Sequence, residues 1–156
     1  MNAEYTAATR ATSSSGWRGL LLFGDLVALY LFVLVGQLDH DLLPGTNPLW
    51  YTLTRALPFI AVWLAAGWLL GAYWLPRDSH TGEAREWQPL LRWLGARALH
   101  AWLIAAPAGL LLRALLLERA TIPTLFFVAT LGFGALFLLA WRLLFGLAYR
   151  YQQQRA

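Results

Sequence analysis

The chain has 156 residues, 59% of them hydrophobic and only 13% charged, with a mean hydropathy of +0.51; a soluble domain carries about 25% charged residues, so most readings as a soluble enzyme are excluded. Cysteine and lysine are both missing from the sequence, which removes disulfide and thiolate chemistry, zinc–thiolate and iron–sulfur sites, and any Schiff base to retinal, pyridoxal phosphate or a carbonyl substrate. The net charge of +4 rests on arginines placed beside apolar segments rather than in one basic block, the pattern of membrane flanks and not of nucleic-acid binding.

Residues 1–16 are small and polar, with Ser13, Ser14 and Ser15 in a row, and read as a disordered tail. They are not expected to act as a signal peptide, because the apolar region that follows is long for one and no small-residue cleavage site follows it. A membrane-crossing helix needs roughly 20 mostly apolar residues. Four stretches meet that requirement: helix 1 over residues 17–38, helix 2 over 49–75, helix 3 over 96–117 and helix 4 over 122–149, followed by a polar tail over 150–156. The expected class is an all-α integral membrane four-helix bundle. Turn signals at Pro44, Gly45, Asn47 and Pro48 separate helices 1 and 2, and the short link after Leu117 makes helices 3 and 4 antiparallel neighbours. In the middle connection, Trp87, Leu90, Leu91 and Leu94 share one side of a wheel over residues 83–95. That segment is expected to be a short interfacial helix before helix 3, the alternative being a longer, protruding helix 3.

An even number of spans puts both termini on one side. Nine arginines fall on that side (10, 18, 77, 85, 92, 97, 142, 150 and 155) against Arg55, Arg113 and Arg119 on the other. The positive-inside rule then places both termini in the cytoplasm, in a multi-pass protein of the cell (inner or cytoplasmic) membrane. Trp17, Trp50, Trp74, Trp87, Trp93 and Tyr149 lie near span ends, as an aromatic belt does.

Depth follows from the rise of 1.5 Å per helical residue. Asp25 lies roughly 12 Å inside the start of helix 1, and Arg142 roughly 10 Å inside the end of helix 4, on the same side. The matching depths predict an Asp25–Arg142 ion pair within the bundle, which either pins the two helices or also serves a function. A second polar layer gathers at the other end: Gln37, Asp39, His40 and Asp41 close helix 1, while Arg55 and Arg113 sit one to two turns inside helices 2 and 3. Snorkelling at the headgroups is one reading of the two arginines. A pocket between helices 1, 2 and 3 that holds an anionic group is the other. Asp25, Leu29, Phe32, Gly36 and His40 share one face of helix 1 and connect the layers.

Gly67 and Gly71 form a GxxxG on helix 2, and Ala101, Ala105 and Gly109 a small-residue stripe on helix 3, both suited to close helix approach. Pro107 should kink helix 3. No cofactor is expected. His40 and His100 are at different depths and cannot share a haem, although either one could ligate a single pigment metal.

Gly24 and Asp25 with Phe32, the run Gly36 to His40, Arg55 with Pro58, Phe59 and Trp63, Pro107 with Gly109 and Arg113, and Ile122, Pro123, Phe126, Trp141 and Arg142 occur in an order and spacing that resembles the domain-of-unknown-function 3054 family of prokaryotic membrane proteins. The resemblance implies a four-helix membrane domain with no assigned activity. Lacking hydrolase, phosphate-loop or HExxH motifs, the chain is expected to be a non-enzymatic accessory or scaffolding module. Its surroundings would be the lipid bilayer and a membrane-protein partner or further copies of itself. The alternative is a small proton- or ion-coupled transporter that uses Asp25, with Arg55 and Arg113 holding an anion. A membrane enzyme acting on lipid or isoprenoid has only the proximity of Asp39, His40 and Asp41 in its favour.

Overall fold

The computed structural model describes residues 3–40, 42–43, 45–75, 87–118 and 121–155. These form four helices, α1 (Ala3–Asp39), α2 (Pro48–Leu69), α3 (Trp87–Leu116) and α4 (Thr124–Arg155), with no strand among the described residues. Each contains a segment long and apolar enough to cross a membrane: Gly16–Asp39, Pro48–Leu69, Leu90–Leu116 and Thr124–Gln152. Every helix packs against its neighbour in sequence and α4 returns to α1, so the four close into a ring with α1 across from α3. This is the up-down arrangement that short connections favour.

Lipid solvates the outside of such a ring as well as its own side chains would, so the helices associate through packing and hydrogen bonds rather than hydrophobic drive. Two tryptophans show how. The Trp141 indole of α4 lies where a side chain on Gly24 of α1 would be, and its Nε1 donates to the Leu21 carbonyl at 3.1 Å. Trp102 of α3 covers Gly134 of α4 in the same way and donates to the Leu131 carbonyl at 3.0 Å. In both, the accepting carbonyl precedes the glycine by three residues. The stripe on α3 works similarly: Ala101, Ala105 and Gly109 are buried, and Gly109 lets the Phe59 ring and backbone of α2 come close.

The helix ends explain where the structure departs from the expected boundaries. Asn47 caps α2 in the left-handed region (φ 50°), accepting from the Trp50 amide at 3.3 Å, with Pro48 in the first helical position. At the other end α2 stops at Leu69, short of the expected Leu75. Gly71 adopts φ +68°, its N–H bonds the Trp68 carbonyl at 3.2 Å, and the Ala72 N–H bonds the Gly67 carbonyl at 2.7 Å. That double bond pattern is a Schellman motif, which a left-handed glycine makes possible. The expected GxxxG packing face is thereby corrected. Gly71 is the turn residue beyond the helix, and Gly67 makes room for the Tyr73 ring folding back to donate to the Trp63 carbonyl at 3.1 Å.

Two further differences concern α1 and α3. The helix of α1 starts at Ala3 rather than Trp17, running back through the segment expected as a disordered tail; Ala3, Ala7, Ala8 and Ala11 favour propagation of an existing helix. Among the described residues, those from Trp87 onward belong to one continuous helix, α3, as in the longer-helix alternative. Pro89 falls in its first turn, where the missing N–H has no intrahelical partner to lose. The rest of that expected element, residues 83–86, lies outside the described residues. Pro107 sits inside α3, and the helix continues through it to Leu116.

Candidate functional site

The ion pair occupies the half of the bundle nearer the termini. Asp25 on α1 is 0% exposed and Arg142 on α4 is 1% exposed. Arg142 Nε donates to Oδ1 at 3.0 Å and Nη2 to Oδ2 at 2.5 Å, the bidentate fork that suits a planar guanidinium to a carboxylate. The remaining nitrogen, Nη1, donates to the Ala72 carbonyl at 2.6 Å. Ala72 lies in the turn that ends α2, so its carbonyl has left the helical ladder and needs another donor. The Trp63 ring lies against the guanidinium, 6.0 Å from its centroid, and Trp63 Nε1 is near Asp25 but outside hydrogen-bond geometry.

A second arginine serves the same turn. Arg97 of α3 donates through Nη1 to the Leu70 carbonyl at 2.9 Å. Two guanidinium groups therefore meet the C-terminal end of α2, where unpaired carbonyls and the helix dipole favour positive charge. One turn of backbone thus joins all four helices: α2 supplies it, α3 and α4 cap it, and α1 neutralises Arg142.

The shared face of helix 1 does run from this pair toward the other end, but aromatic rings fill the centre. Phe32 meets Phe59 edge-on at 6.1 Å and Trp102 at 6.3 Å, and Trp102 meets Trp63 at 6.2 Å. Beyond this layer lies a cavity of about 310 Å³. Gln37, Asp39, His40, Arg55 and Arg113 all contribute to its lining, as expected of the second polar layer, with Gly36 beside them. The expected pocket between helices 1, 2 and 3 gains a fourth wall, because Phe126, Thr130, Phe133 and Phe137 of α4 also line it. Asp41 lies outside the described residues. Asp39 faces His40, with Oδ2 and Nε2 3.9 Å apart and both side chains largely exposed. Arg55 donates to the Tyr51 hydroxyl at 3.3 Å and lies over its ring at 4.9 Å; Arg113 lies over Phe126 at 5.0 Å.

Two polar groups in this half escaped the sequence reading. Thr52 is fully buried, with Oγ1 2.8 Å from Gln37 Oε1 and 2.9 Å from the Pro48 carbonyl; its one proton serves one of the two. Thr130 is 1% exposed and its Oγ1 has no hydrogen-bond partner. A helical threonine ordinarily bonds a carbonyl one turn back, so this hydroxyl forgoes its usual partner at a desolvation cost of about 1–3 kcal/mol. Neither residue stands out in an apolar sequence, since threonine is common in membrane helices. His100 Nδ1 engages the Ala96 carbonyl at 2.7 Å and lies away from His40. Among the described residues no three His, Asp or Glu side chains gather as a metal site would require.

Four apolar helices in a closed ring, joined by an interior ion pair, define a multi-pass membrane protein. The chain belongs to the family described as "Protein of unknown function (DUF3054)", whose model matches residues 22–145. That range holds both Asp25 and Arg142 and the whole cavity lining. No curated protein and no solved structure matches the chain.

Proposed function

We propose that this protein is a non-enzymatic accessory or scaffolding module of the cell membrane, with both termini cytoplasmic, that packs against the helices of a partner membrane protein. The observation that carries the reading is the complete internal use of the deep charges. Both Asp25 oxygens and the Arg142 Nε, Nη1 and Nη2 are engaged within the bundle, at 0% and 1% exposure. A carboxylate held this way has a structural task, joining helices, and offers no open face to a substrate or a travelling proton. The aromatic layer next to it supports the same reading over a carrier that couples through Asp25. Of the four spans, α4 is the least covered by the rest of the chain, which leaves it the face most suited to a neighbour.

Native mass spectrometry of the protein released with its surrounding lipid tests this. Co-purification with unrelated membrane subunits is the expected result. A bare monomer or homodimer, together with proton flux in proteoliposomes that Asp25→Asn abolishes, would replace the module with the transporter.

A further inference from the structure

We infer that the lipid-facing side of α3 around His100 is a docking surface for a transmembrane helix of a partner protein, one that presents hydrogen-bond donors at the depth of His100 and Leu103. The inference rests on the accessory reading and sharpens it, naming a face and the chemistry of the contact.

Two observations on one stripe carry it. The first is His100 itself. It lies ten residues beyond the start of the Leu90–Leu116 span, roughly 15 Å into the membrane. Ionisable side chains at such depth almost always face the bundle interior or a water-filled cavity, as Asp25 and Arg142 do. α3 instead turns Ala98, Ala101, Trp102 and Ala105 inward and His100 outward. Among the described residues it is the one exposed ionisable side chain more than two turns inside a span. Its Nδ1 is 2.7 Å from the Ala96 carbonyl. A carbonyl oxygen only accepts, so Nδ1 carries the proton and, in the neutral ring, Nε2 is left as an acceptor. That bond stays within α3, fixing the ring without covering it.

The second observation is the break in the helical ladder above His100. His100, Leu103, Pro107 and Leu111 follow helical spacing along the outward side, where Leu103 and Leu111 are 55% and 60% exposed. Proline has no N–H, so the Leu103 carbonyl receives no bond from position 107. Prolines are tolerated in membrane helices where a neighbouring element serves the freed carbonyl. The stripe thus offers two acceptors, His100 Nε2 and the Leu103 carbonyl, roughly one turn apart. Lipid tails carry no donor, and the bilayer core holds no water to replace one.

This need for donors selects the occupant. On α4 the exposed Val128, Phe133, Leu136 and Leu144 are apolar, and either lipid or a partner covers them. The α3 stripe requires hydroxyl, amide or indole N–H groups on the facing helix. A second copy of this chain does not supply them there, because α3 against α3 sets acceptors on acceptors.

The test places photoreactive p-benzoylphenylalanine at Ile104, exposed and one turn from His100, or at Leu136 on α4. The full chain is irradiated in the membranes of its own organism, and cross-linked peptides are identified by mass spectrometry. The expected adduct at Ile104 is a transmembrane segment of another protein with a serine, threonine, asparagine, glutamine or tryptophan level with His100. Its yield should fall about threefold or more in His100→Leu and stay near the parent's in His100→Gln, whose amide oxygen accepts. An adduct with the chain's own α3, a segment without such a donor, a yield that His100→Leu leaves unchanged, or equal loss in both variants would overturn the inference. So would a visible absorption band that His100→Leu removes, the sign of a metal-bearing pigment on Nε2. Protein adducts at Leu136 with lipid alone at Ile104 would overturn it while the accessory reading stands; lipid alone at both positions would overturn both. Each variant is compared with the parent by circular dichroism, and for one that unfolds, His100→Met replaces His100→Leu and His100→Asn replaces His100→Gln.

Discussion

Removing one partner of the interior ion pair should cost far more than removing both. In Asp25→Leu, Arg142 stays buried at 1% exposure with Nε and Nη2 stripped of their acceptor, while Nη1 keeps the Ala72 carbonyl. Breaking a buried pair from one side is expected to destabilise by about 3–5 kcal/mol. Arg142→Met is worse, because it strands the Asp25 carboxylate and also leaves the Ala72 carbonyl unpaired, a further cost of about 1–3 kcal/mol. In the double variant both charges vanish together and only the Ala72 carbonyl lacks a donor. Its expected loss is therefore about 1–3 kcal/mol, smaller than that of either single variant. Reversible unfolding in mixed micelles by increasing sodium dodecyl sulfate, followed by circular dichroism and tryptophan fluorescence, measures all four proteins and completes the cycle. A double variant as unstable as the sum of the two singles would refute the pairing. So would a loss below about 1 kcal/mol for Asp25→Leu, the level of a solvent-exposed pair.

Other consequences follow from the close contacts. Gly24→Ala places a methyl group into the Trp141 indole, which its own hydrogen bond to Leu21 holds in place; a loss of about 1–3 kcal/mol is expected in the same unfolding assay, and Trp141→Phe in that background should recover part of it. Gly71→Ala strains a backbone position at φ +68° and should cost about 1 kcal/mol, whereas Gly16→Ala, with open space around it, should cost nothing measurable or stabilise slightly. Reporter fusions that distinguish the two faces of the membrane should place both termini in the cytoplasm, as nine arginines against three require; opposite locations would mean an odd number of crossings.

What the sequence disclosed was what depth and periodicity encode. A helix in lipid must be long and apolar, so four spans were visible, and the depths of Asp25 and Arg142 could be counted along known rises. Side-chain direction at helix ends could not be counted in this way. Gly67 and Gly71 carry the spacing of a packing motif, yet the same glycine that permits close approach also permits φ > 0, and only the backbone shows which use was made. The Ala72 carbonyl is invisible for a related reason: a main-chain acceptor has no letter in the sequence, and it became available only because the helix stops six residues before the apolar stretch does. Thr130 and Thr52 were hidden because a hydroxyl's importance lies in whether it bonds its own helix, which one-dimensional patterning does not record. The cavity's fourth wall was missed because α4 carries no charge at that depth to draw attention to it.

The two halves of the bundle are built to different tolerances, and the difference bears on how the protein works. Near the termini, Trp141 fills the space over Gly24, Tyr73 folds onto Gly67, and two arginines cap one turn. A second apolar cluster of Leu21, Leu94 and Phe145, with Trp17 set edge-on to Phe145 at 5.7 Å, continues the dense packing there. The tryptophan, tyrosine and arginine contacts each have a directional component, either a hydrogen bond or a ring fitted over a glycine, and directional contacts define a helix arrangement in lipid where apolar burial does not. Toward the other end, beyond the aromatic layer, the packing opens into the cavity. An orphaned Thr130 hydroxyl is tolerable there because the opposite half already fixes the four helices. Stability is concentrated where the charges pair, and that leaves the far end free to keep a space that tight packing would have closed.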